Sequence, residues 1–443
     1  MARLFGTDGI RGVANVDLKP TLAYALGRAT AHELLGPGGV LVIGQDTRRS
    51  GGMFVQAIAA GAASLGADVA LAGTLPTPAL AFIAGSGEFG AGIMVSASHN
   101  PADDNGLKVL DARGMKLDDD REDALEALIW RAEELTGPRN AGIGRVAHAA
   151  DLLERYRSSR TELARTIRTE LRIVLDCANG AGGVSAPGIL AATGATVEVI
   201  YNEPDGVNIN VECGATAPAA LAREVVARGA DLGFALDGDA DRLVVVDRHG
   251  NVVDGDQLIG LIALDRLQRG ALRQGIVVVT VLSNGGLEAA LAAAGGQVVR
   301  TPVGDKYILE GMLVNDANLG GEKSGHVISL DHSSSGDGLL TGLELLGVLS
   351  RADRPVDELA AEIPLFPQEQ RAVRVRHKDQ WEGDPVLHRA IVDAQGRLGP
   401  GGRVLVRPSG TEPVLRVMVE GSDPELVARL ADQITTLAGE RLH

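Results

Sequence analysis

Three stretches of the chain share one order of apolar and small polar residues. Each begins with an apolar run rich in Val or Ile, continues through a turn and a helix of small residues, and ends with a Gly and a second apolar run. This order is typical of a β-strand, a helix and a parallel β-strand, in which the Gly suits a left-handed helix end. The stretches are 40–69, 173–197 and 276–298. They predict three related α/β domains whose largely parallel sheets are covered by helices.

Polar segments predict where these domains end. Charge-rich helical patterns over 119–135 and 151–170 place the end of the first domain near residue 152, and a turn at 248–251 ends the second. The remaining pattern changes to alternating strands and one helix, which predicts a smaller α+β domain. Those strands are 372–376, 403–406 and 415–419, and the helix is 423–437. The predicted domains are 1–152, 153–251, 252–366 and 367–443.

Composition narrows the possible partners. The chain has 443 residues, with 42 Lys and Arg against 58 Asp and Glu, so its formal net charge is −16. This excess of acidic residues disfavours nucleic acid and anionic membranes as partners. No apolar run approaches the roughly 18 residues of a membrane span. Two Cys residues cannot form a disulfide framework, and the N-terminal residues lack the apolar core of a signal peptide, so we expect a cytoplasmic protein.

The densest acidic cluster follows a predicted buried strand at 232–236. Asp237, Asp239 and Asp241 alternate with small residues there, and Arg242 follows directly. Carboxylate oxygens suit Mg²⁺ or Ca²⁺, and three close carboxylates repel one another unless a cation lies between them. An EF-hand is excluded, because its loop needs Gly at the position of Arg242. A solvated acidic turn is the alternative, but mutual repulsion favours a divalent-cation site.

A loop of small polar residues follows the predicted strand at 92–95. It contains Ser96, Ser98 and His99 and ends at Pro101. A Ser-His-Asp hydrolase is disfavoured, because no Gly-x-Ser-x-Gly motif is present and the adjacent side chains of Ser98 and His99 should diverge. The residues alone leave Ser98 as either an ordinary turn hydroxyl or a nucleophile.

Lys108 lies ten residues after Ser98, beyond a turn-forming segment at 104–106. If the chain doubles back at that turn, the ammonium group approaches the Ser98 hydroxyl and supplies a base or a phosphate ligand. A solvated surface lysine is the equally weighted alternative.

A third polar loop contains Arg407, Ser409, Gly410 and Thr411. A guanidinium group, two hydroxyls and a Gly that permits close approach of the backbone suit a phosphate, although a plain turn between strands fits equally well. The stretch 320–324 is not a P-loop, because an acidic residue precedes its Lys where Gly is required.

Taken together and in this order, the motifs resemble those of the α-D-phosphohexomutase family over the whole chain. The resemblance is carried by the stretches 4–12, 96–101, 208–210, 237–242, 322–326 and 407–411. It implies three similar mixed-sheet α/β domains followed by a smaller α+β C-terminal domain around a central active-site cleft. It also implies an isomerase that moves a phosphoryl group by way of a phosphoserine and a sugar 1,6-bisphosphate intermediate. A sugar 1,6-bisphosphate would also supply the phosphate that first phosphorylates the serine.

The resemblance assigns roles to residues of the first two domains. Ser98 would be the phosphoserine, and one of its oxygens would hold Mg²⁺ together with three carboxylates. Lys108 is similar to the family's general acid/base, while Arg11 and Arg242 would contact the phosphoryl group. The implied carboxylate ligands are Asp237, Asp239 and Asp241.

Two further loops would bind the substrate. The loop at 322–326 would form hydrogen bonds with the sugar hydroxyls, and the loop at 407–411 would bind the phosphate that does not react, as a phosphate clamp. A structural role is the alternative for His326. The implied sugar-binding residues are Glu322, Lys323, Ser324 and His326, and the implied clamp is Arg407, Ser409, Gly410 and Thr411. Gly304 and Lys306 are two further predicted substrate-binding residues that would face the cleft.

Within the family, the motifs are most similar to the branch that acts on hexosamine phosphates for peptidoglycan precursors. That branch usually carries Gln where this chain has Lys323, so a mannose or glucose phosphate with the same mechanism is the alternative substrate. A Mg²⁺-dependent phosphatase and a non-catalytic sugar-phosphate-binding protein are alternatives from other classes. A homodimer is implied by the resemblance alone.

Overall fold

The chain divides into two compact units. The larger unit comprises Met1–Leu282 and Gly295–Ala361, and the smaller unit comprises Ser283–Ala294 and Glu362–His443. No helix among the described residues combines the length and apolar content that a membrane span requires. The structure is a computed structural model that describes residues 3–6, 8–36, 38–399, 401–409 and 412–443.

The first part of the larger unit is a six-stranded mixed sheet with helices. In chain order its elements are β1 (Ile10–Val13), α1 (Pro20–Thr30), β2 (Val40–Gln45), α2 (Gly51–Ser64), β3 (Asp68–Thr74), α3 (Thr77–Ala84), β4 (Ala91–Val95), β5 (Asp104–Asp111), α4 (Asp119–Ile129) and β6 (Val146–His148). The strand order is β1-β5-β4-β2-β3-β6. β4, β2, β3 and β6 run parallel, whereas β5 is antiparallel to both of its neighbours. Loops after β2 and β4 therefore leave the same edge of the sheet.

The second part is a five-stranded sheet of the same mixed type. Its elements are α5 (Leu152–Ala164), β7 (Arg172–Asp176), α6 (Ala186–Ala191), β8 (Thr196–Ile200), α7 (Ala219–Arg228), β9 (Leu232–Leu236), β10 (Leu243–Asp247) and β11 (Val252–Val253). The order is β11-β10-β9-β7-β8, with β9, β7 and β8 parallel and a hairpin at the other edge. β11 pairs with β10 just beyond the predicted boundary at residue 251.

The third sheet has four strands in the order β13-β12-β14-β15. The elements of this part of the chain are α8 (Gly255–Gln268), β12 (Ile276–Thr280), α9 (Gly285–Ala293), β13 (Gln297–Thr301), α10 (Asp305–Val314), β14 (Leu319–Gly321), β15 (Val327–Ser329), α11 (Gly338–Ala352) and α12 (Val356–Ala360). β13, β12 and β14 are parallel, and β15 is antiparallel to β14. α9 belongs to the smaller unit.

The smaller unit contains a three-stranded antiparallel sheet. Its further elements are β16 (Gln368–Arg374), α13 (Pro385–Leu398), β17 (Arg403–Pro408), β18 (Val414–Glu420) and α14 (Pro424–Arg441), with the order β16-β18-β17. Asp423 caps α14 as its sequence predicts, since its side chain accepts from the amides of Glu425 and Leu426. α13 was not predicted, although Asp384 and Pro385 give it the same starting signal.

The predicted fold class is confirmed, with mixed sheets in three α/β segments and a small α+β segment last. The Gly residues that end the three repeated helices are Gly66, Gly194 and Gly295, and all have φ between 87° and 98°. A side chain is strained at this φ, which explains the recurring Gly. The predicted helices at 119–135 and 151–170 are shorter than expected, because α4 and α5 end earlier. The four domain boundaries stay predictions.

A buried ion pair joins α5 to α11. The Arg160 guanidinium lies 3.1 Å from an Asp337 carboxylate oxygen, and both side chains are almost fully buried. The Tyr156 hydroxyl donates to the same carboxylate, which also caps α11 through the amide of Leu340. The backbone amide of Gly338, the first residue of α11, donates to the Ala240 carbonyl at 3.0 Å. The buried ion pair therefore holds α11 beside residues 237–242, which form the acidic loop.

We expect Arg160→Met to lower the apparent free energy of unfolding by about 3 kcal/mol, because it leaves the Asp337 carboxylate buried without its cation. Urea titration followed by circular dichroism measures this loss. The control is Arg155→Met on the same helix, which removes an exposed pair with Glu88 and should cost less than about 1 kcal/mol. Equal losses in the two variants would contradict a special role for the buried pair.

Candidate active site and metal centre

The acidic loop leaves the carboxyl end of β9. Asp237, Asp239 and Asp241 are buried, and one carboxylate oxygen from each lies within 4.8 Å of the others. Ala240 has φ 58°, a left-handed turn that helps side chains two residues apart to converge. The predicted convergence of the three carboxylates is therefore present.

Close packing brings this loop against the loop that carries Ser98. A Cβ atom at Gly238 would lie 2.5 Å from the Ser98 carbonyl oxygen, so the approach requires Gly between two of the Asp residues. Asn210 joins the two loops, because its side-chain amide donates to the carbonyls of Ser98 and Asn100 at 2.9 and 3.1 Å. This contact explains the Asn at the end of the 208–210 motif.

Ser98 lies in the loop after β4 with φ 52°, and its side chain is fully buried. Its hydroxyl donates to an Asp237 carboxylate oxygen at 2.5 Å. The expectation that Ser98 and His99 diverge is wrong, because Ser98 Oγ and His99 Nδ1 are 3.3 Å apart. Burial, together with Arg242 and Arg11, lowers the pKa of His99 to about 4, so the ring is neutral near pH 7.

The donor set fits a divalent cation. Burial and the charges of Asp241 and Asp239 raise the pKa of Asp237 well above its usual range, because neighbouring carboxylates buried together repel one another. Asp239 Oδ1 and Asp241 Oδ1 are buried and accept no hydrogen bond from the described residues. Hard, unsatisfied carboxylate oxygens of this kind are the ligands that Mg²⁺ prefers. Asp237, Asp239 and Asp241 would hold such an ion.

Lys108 is buried in β5, and its ammonium group contacts three carboxylates. Its Nζ atom is 2.8 Å from Asp239, 3.1 Å from Asp8 and 3.4 Å from Asp241. Burial alone would lower the pKa of Lys108, but Asp239, Asp8 and Asp241 outweigh it and raise the pKa well above its usual value. Lys108 is thus a proton-bearing cation, and the surface-lysine alternative is wrong.

The chain reverses before residue 104, not at 104–106 as predicted. These residues already belong to β5, where Gly106 pairs with Arg11 of β1. A Cβ atom at Gly106 would lie 2.4 Å from the Ser96 carbonyl oxygen, so this Gly serves strand packing rather than a turn. The backbone freedom of Gly suggested a turn at residue 106, because the sequence alone does not reveal that the Ser96 carbonyl lies against this residue.

Asp8 was not predicted as a site residue, yet three cations surround its carboxylate. Arg11 and Lys116 both pair with it, and Lys108 lies 3.1 Å away. Burial would raise the pKa of Asp8, but Lys108, Lys116 and Arg11 outweigh it and hold the pKa well below its usual range. Lys116 also pairs with Asp305 at 2.5 Å and so connects the first and third sheets.

The residues that support the Ser98 loop from beneath were not predicted from the sequence. Arg48 is buried, pairs with Asp46 at 2.9 Å and donates to the Ser98 carbonyl at 3.0 Å. Asp46 accepts a further hydrogen bond from the Ser96 hydroxyl at 2.7 Å. The available signal was a group of charged residues directly after β2, since the carboxyl ends of parallel strands carry ligand sites. Thr77, at the start of α3, donates to Asp239 and was also missed.

The 322–326 loop reaches the acidic loop through His326. Its Nδ1 atom is 3.7 Å from Asp241 and its Nε2 atom 3.6 Å from Asp305. Burial would lower the pKa of His326, but the nearby carboxylates of Asp241 and Asp305 outweigh it and raise the pKa. A buried ring between two carboxylates favours the structural role left open for His326.

Glu322 accepts hydrogen bonds from the Ser324 hydroxyl at 3.3 Å and from the Gly304 amide at 3.2 Å.

The two lysines predicted to bind substrate are both paired with carboxylates. Lys306 Nζ lies 2.5 Å from Asp119 and 3.6 Å from Glu122, so its charge is engaged by the first part of the chain. Lys323 is 40% exposed and lies 3.2 Å from Asp254. The substrate roles of these lysines stay predictions.

The predicted phosphate clamp lies in the smaller unit. Arg407 in β17 is directly opposite Arg416 in β18. Burial and the charge of Arg416 lower the pKa of Arg407, as expected where two cations face each other. Ser409 is buried, and its carbonyl accepts from Lys378. The positive charges of Arg407, Arg416 and Lys378 suit an anion at this position. Gly410 and Thr411, which were also predicted to belong to the clamp, lie outside the described residues.

Comparisons with known proteins agree across the chain. Four protein-family models of phosphoglucomutase/phosphomannomutase match this chain. The model of alpha/beta/alpha domain I matches residues 2–136, that of domain II residues 151–250, that of domain III residues 254–366 and that of the C-terminal domain residues 372–437. A phosphoglucosamine mutase from Moorella thermoacetica is 50% identical over 96% of each chain.

Solved structures give the same match. A phosphoglucomutase/phosphomannomutase family protein from Burkholderia thailandensis has a TM-score of 0.86 at 27% identity, covering 100% of this chain and 98% of that one. An Aspergillus fumigatus N-acetylphosphoglucosamine mutase, solved with GlcNAc-6P and magnesium, has a TM-score of 0.72 at 20% identity, with 99% and 96% covered. At 20% identity, the similarity to the Aspergillus fumigatus structure is evidence for the fold alone.

We expect Asp241→Asn to weaken Mg²⁺ binding at least about tenfold, because it removes one ligand charge from a site of three carboxylates. Isothermal titration calorimetry on the purified protein measures the affinity. Asp265→Asn is the control, because that side chain pairs with Arg269, just after α8, and with Arg351 on α11, and its loss should leave Mg²⁺ binding unchanged. An unchanged affinity in Asp241→Asn would exclude this carboxylate from the site.

Proposed function

The chain belongs to the phosphoglucomutase/phosphomannomutase family and is a phosphohexomutase, an isomerase, and from this premise we propose that it interconverts glucosamine 6-phosphate and glucosamine 1-phosphate. The proposed route uses a phosphorylated Ser98 and a glucosamine 1,6-bisphosphate intermediate. The substrate proposal is supported by the 50% identity to the Moorella thermoacetica protein over 96% of the chain.

One observation supports the proposed site above all others. The Ser98 hydroxyl lies 2.5 Å from Asp237, inside the cluster of three buried carboxylates. A phosphate on that hydroxyl would share the position with a cation held by Asp237, Asp239 and Asp241. Mg²⁺ bound there would offset the charge of the phosphoryl group as it moves.

The first half-reaction transfers the Ser98 phosphoryl group to a free sugar hydroxyl. The bond between phosphorus and Ser98 Oγ breaks, a bond from phosphorus to the sugar oxygen forms, and the hydroxyl proton must leave. In the return half-reaction the other phosphate of the bisphosphate is transferred to Ser98, so phosphate is conserved and no nucleotide is consumed. Ser98 Oγ gains a proton as the sugar hydroxyl loses one. Lys108, which is protonated beside the carboxylates around Ser98, would donate its proton to Ser98 Oγ and be reprotonated with the proton from the sugar hydroxyl; the return half-reaction reverses these transfers.

Two arginines suit the phosphoryl group itself. Arg242 follows the acidic loop directly, and its guanidinium Nε is 3.8 Å from Asp241. Arg11 is held by Asp8 and by the Asn100 side chain at 3.3 Å. Fixed guanidinium groups stabilise the negative oxygens of a phosphoryl group without reorganisation during transfer.

The bisphosphate must turn end over end between the two half-reactions. We therefore propose that Arg407 and Ser409, with Gly410 and Thr411, hold whichever phosphate is not reacting. The facing pair Arg407 and Arg416 supports this role, because an anion relieves the repulsion between the two cations.

Lys323 bears on the choice of sugar. A glucosamine phosphate carries an ammonium group, which a second free ammonium nearby would disfavour. Lys323 instead lies 3.2 Å from Asp254, so its charge is partly offset by the carboxylate that caps α8. This pairing makes Lys323 compatible with an amino sugar in the proposed site.

A cytoplasmic location and a homodimer remain part of the proposal. Cys177 and Cys213 are both buried and free, and burial is the main cause that raises the pKa of each thiol, to about 12 for Cys213. Such unreactive thiols fit a reducing compartment. The homodimer rests on the family resemblance alone.

We expect Ser98→Ala to accept no phosphate from glucose 1,6-bisphosphate and to lose isomerase activity by at least about 10³-fold, because the oxygen that carries the phosphoryl group is gone. Intact-protein mass spectrometry and a coupled assay measure the two effects, and Ser86→Ala on the surface is the control.

The same assay on the wild-type enzyme compares the 6-phosphates of glucosamine, glucose and mannose. Preference for glucosamine 6-phosphate supports the proposed substrate, whereas preference for glucose or mannose contradicts it. Stoichiometric release of inorganic phosphate without isomer exchange would instead indicate a phosphatase, and normal phosphorylation of Ser98→Ala would exclude the proposed serine.

We expect Asp254→Asn to lower kcat/KM for glucosamine 6-phosphate relative to glucose 6-phosphate by roughly twofold, the effect of two unit charges about 8 Å apart in water. Asn preserves the α8 cap, so the change acts on Lys323 rather than on the helix. Adding Lys323→Gln to this variant should restore the ratio. An unchanged ratio in Asp254→Asn would show that the ion pair does not affect sugar preference.

A further inference from the structure

Thr77 connects the first sheet to the acidic loop of the second. It is the first residue of α3 and is 3% exposed. Its hydroxyl donates to Asp239 Oδ2 at 2.6 Å, and its amide donates to the Asp239 carbonyl oxygen at 3.0 Å. Two hydrogen bonds from one residue therefore fix both the backbone and the side chain of a proposed metal ligand.

The two oxygens of the Asp239 carboxylate have different surroundings. Oδ2 accepts from Thr77 and, at 2.8 Å, from Lys108. Oδ1 is buried and has no hydrogen-bond partner within the part of the chain that the structure describes. A buried oxygen left without a donor is unfavourable unless a cation binds it, so the hydrogen bonds on Oδ2 determine the direction in which Oδ1 is presented.

Lys108 and Thr77 hold this carboxylate in different ways. The Lys108 ammonium is shared with Asp8 and Asp241, and in the proposed reaction it also carries a proton. Thr77 donates its hydroxyl to Asp239 alone among the hydrogen bonds of the described residues. It is also uncharged, so it orients the carboxylate without competing electrostatically with a divalent cation.

We propose that Thr77 is a positioning residue for the divalent cation, because it orients Asp239 so that Oδ1 faces the ion. This inference rests on the metal site of the proposed function. The hydroxyl, rather than the bulk of the side chain, carries the effect, and the effect therefore appears in metal affinity before any sugar phosphate is bound.

The test compares Thr77→Val with Thr77→Ser. Val keeps the shape of Thr but has no hydroxyl, whereas Ser keeps the hydroxyl without the methyl group. Isothermal titration calorimetry with Mg²⁺ and electron paramagnetic resonance with Mn²⁺ measure binding to the unphosphorylated enzyme. We expect Thr77→Val to bind either ion about tenfold or more weakly and Thr77→Ser to stay within about twofold of the wild type.

A matched control separates metal positioning from general contact between the two sheets. The Thr47 hydroxyl donates to the Asn179 carbonyl at 2.7 Å, a second link from the first sheet to the second that involves no Asp ligand. We expect Thr47→Val to bind Mg²⁺ like the wild type. Thermal unfolding in EDTA shows whether each variant is folded, and Thr77→Ala replaces Thr77→Val if the latter is not.

Three outcomes would overturn the inference. These are unchanged Mg²⁺ affinity in Thr77→Val, equal weakening in Thr77→Val and Thr77→Ser, and equal weakening in Thr47→Val. A wild-type enzyme that binds no Mg²⁺ would instead remove the proposed metal site itself, so failure of the site and failure of the inference are distinguishable.

Discussion

Repulsion among three buried carboxylates is the constraint around which the larger unit is organised. Asp237, Asp239 and Asp241 are held close together and away from water, an arrangement that is stable only if cations compensate it. Lys108 supplies part of that compensation from the first sheet, and a divalent ion would supply the rest. The same charge balance suits phosphoryl transfer, because a phosphate on Ser98 brings further negative charge to the position where the positive groups converge.

Topology explains how residues distant in the chain meet there. Ser98 follows β4, Asp237 follows β9 and Glu322 follows β14, and each of these strands has a parallel neighbour in its sheet. Loops at the carboxyl ends of such strands lie on one edge, where ligand sites of α/β proteins are found. Hydrogen bonds and ion pairs among the described residues then join the three sheets.

Much of this could be predicted from local sequence. The repeated Val- or Ile-rich runs and the Gly residues at helix ends identified the strand–helix–strand units, and the spacing of Asp237, Asp239 and Asp241 identified their convergence. The support of the site was harder to predict, because Asp8, Asp46 and Thr77 act through partners far along the chain. Asp46 had one local signal, its position directly after β2, whereas no local pattern distinguishes Asp8 or Thr77 from an ordinary loop or cap residue. The turn predicted at Gly106 was wrong for a similar reason, since the need for Gly there comes from the Ser96 carbonyl in the loop after β4, which local sequence does not reveal.

We expect a phosphate on Ser98 and the three carboxylates to bind the same divalent ion. ³¹P NMR of the phosphorylated enzyme during addition of Mn²⁺ tests it directly, because a paramagnetic ion broadens the signal of a phosphorus atom beside it. We expect the phosphoserine signal to disappear at substoichiometric Mn²⁺ and to return when EDTA is added. A signal that stays sharp while Mn²⁺ is bound would place the ion elsewhere and exclude a site shared by the phosphate and the carboxylates.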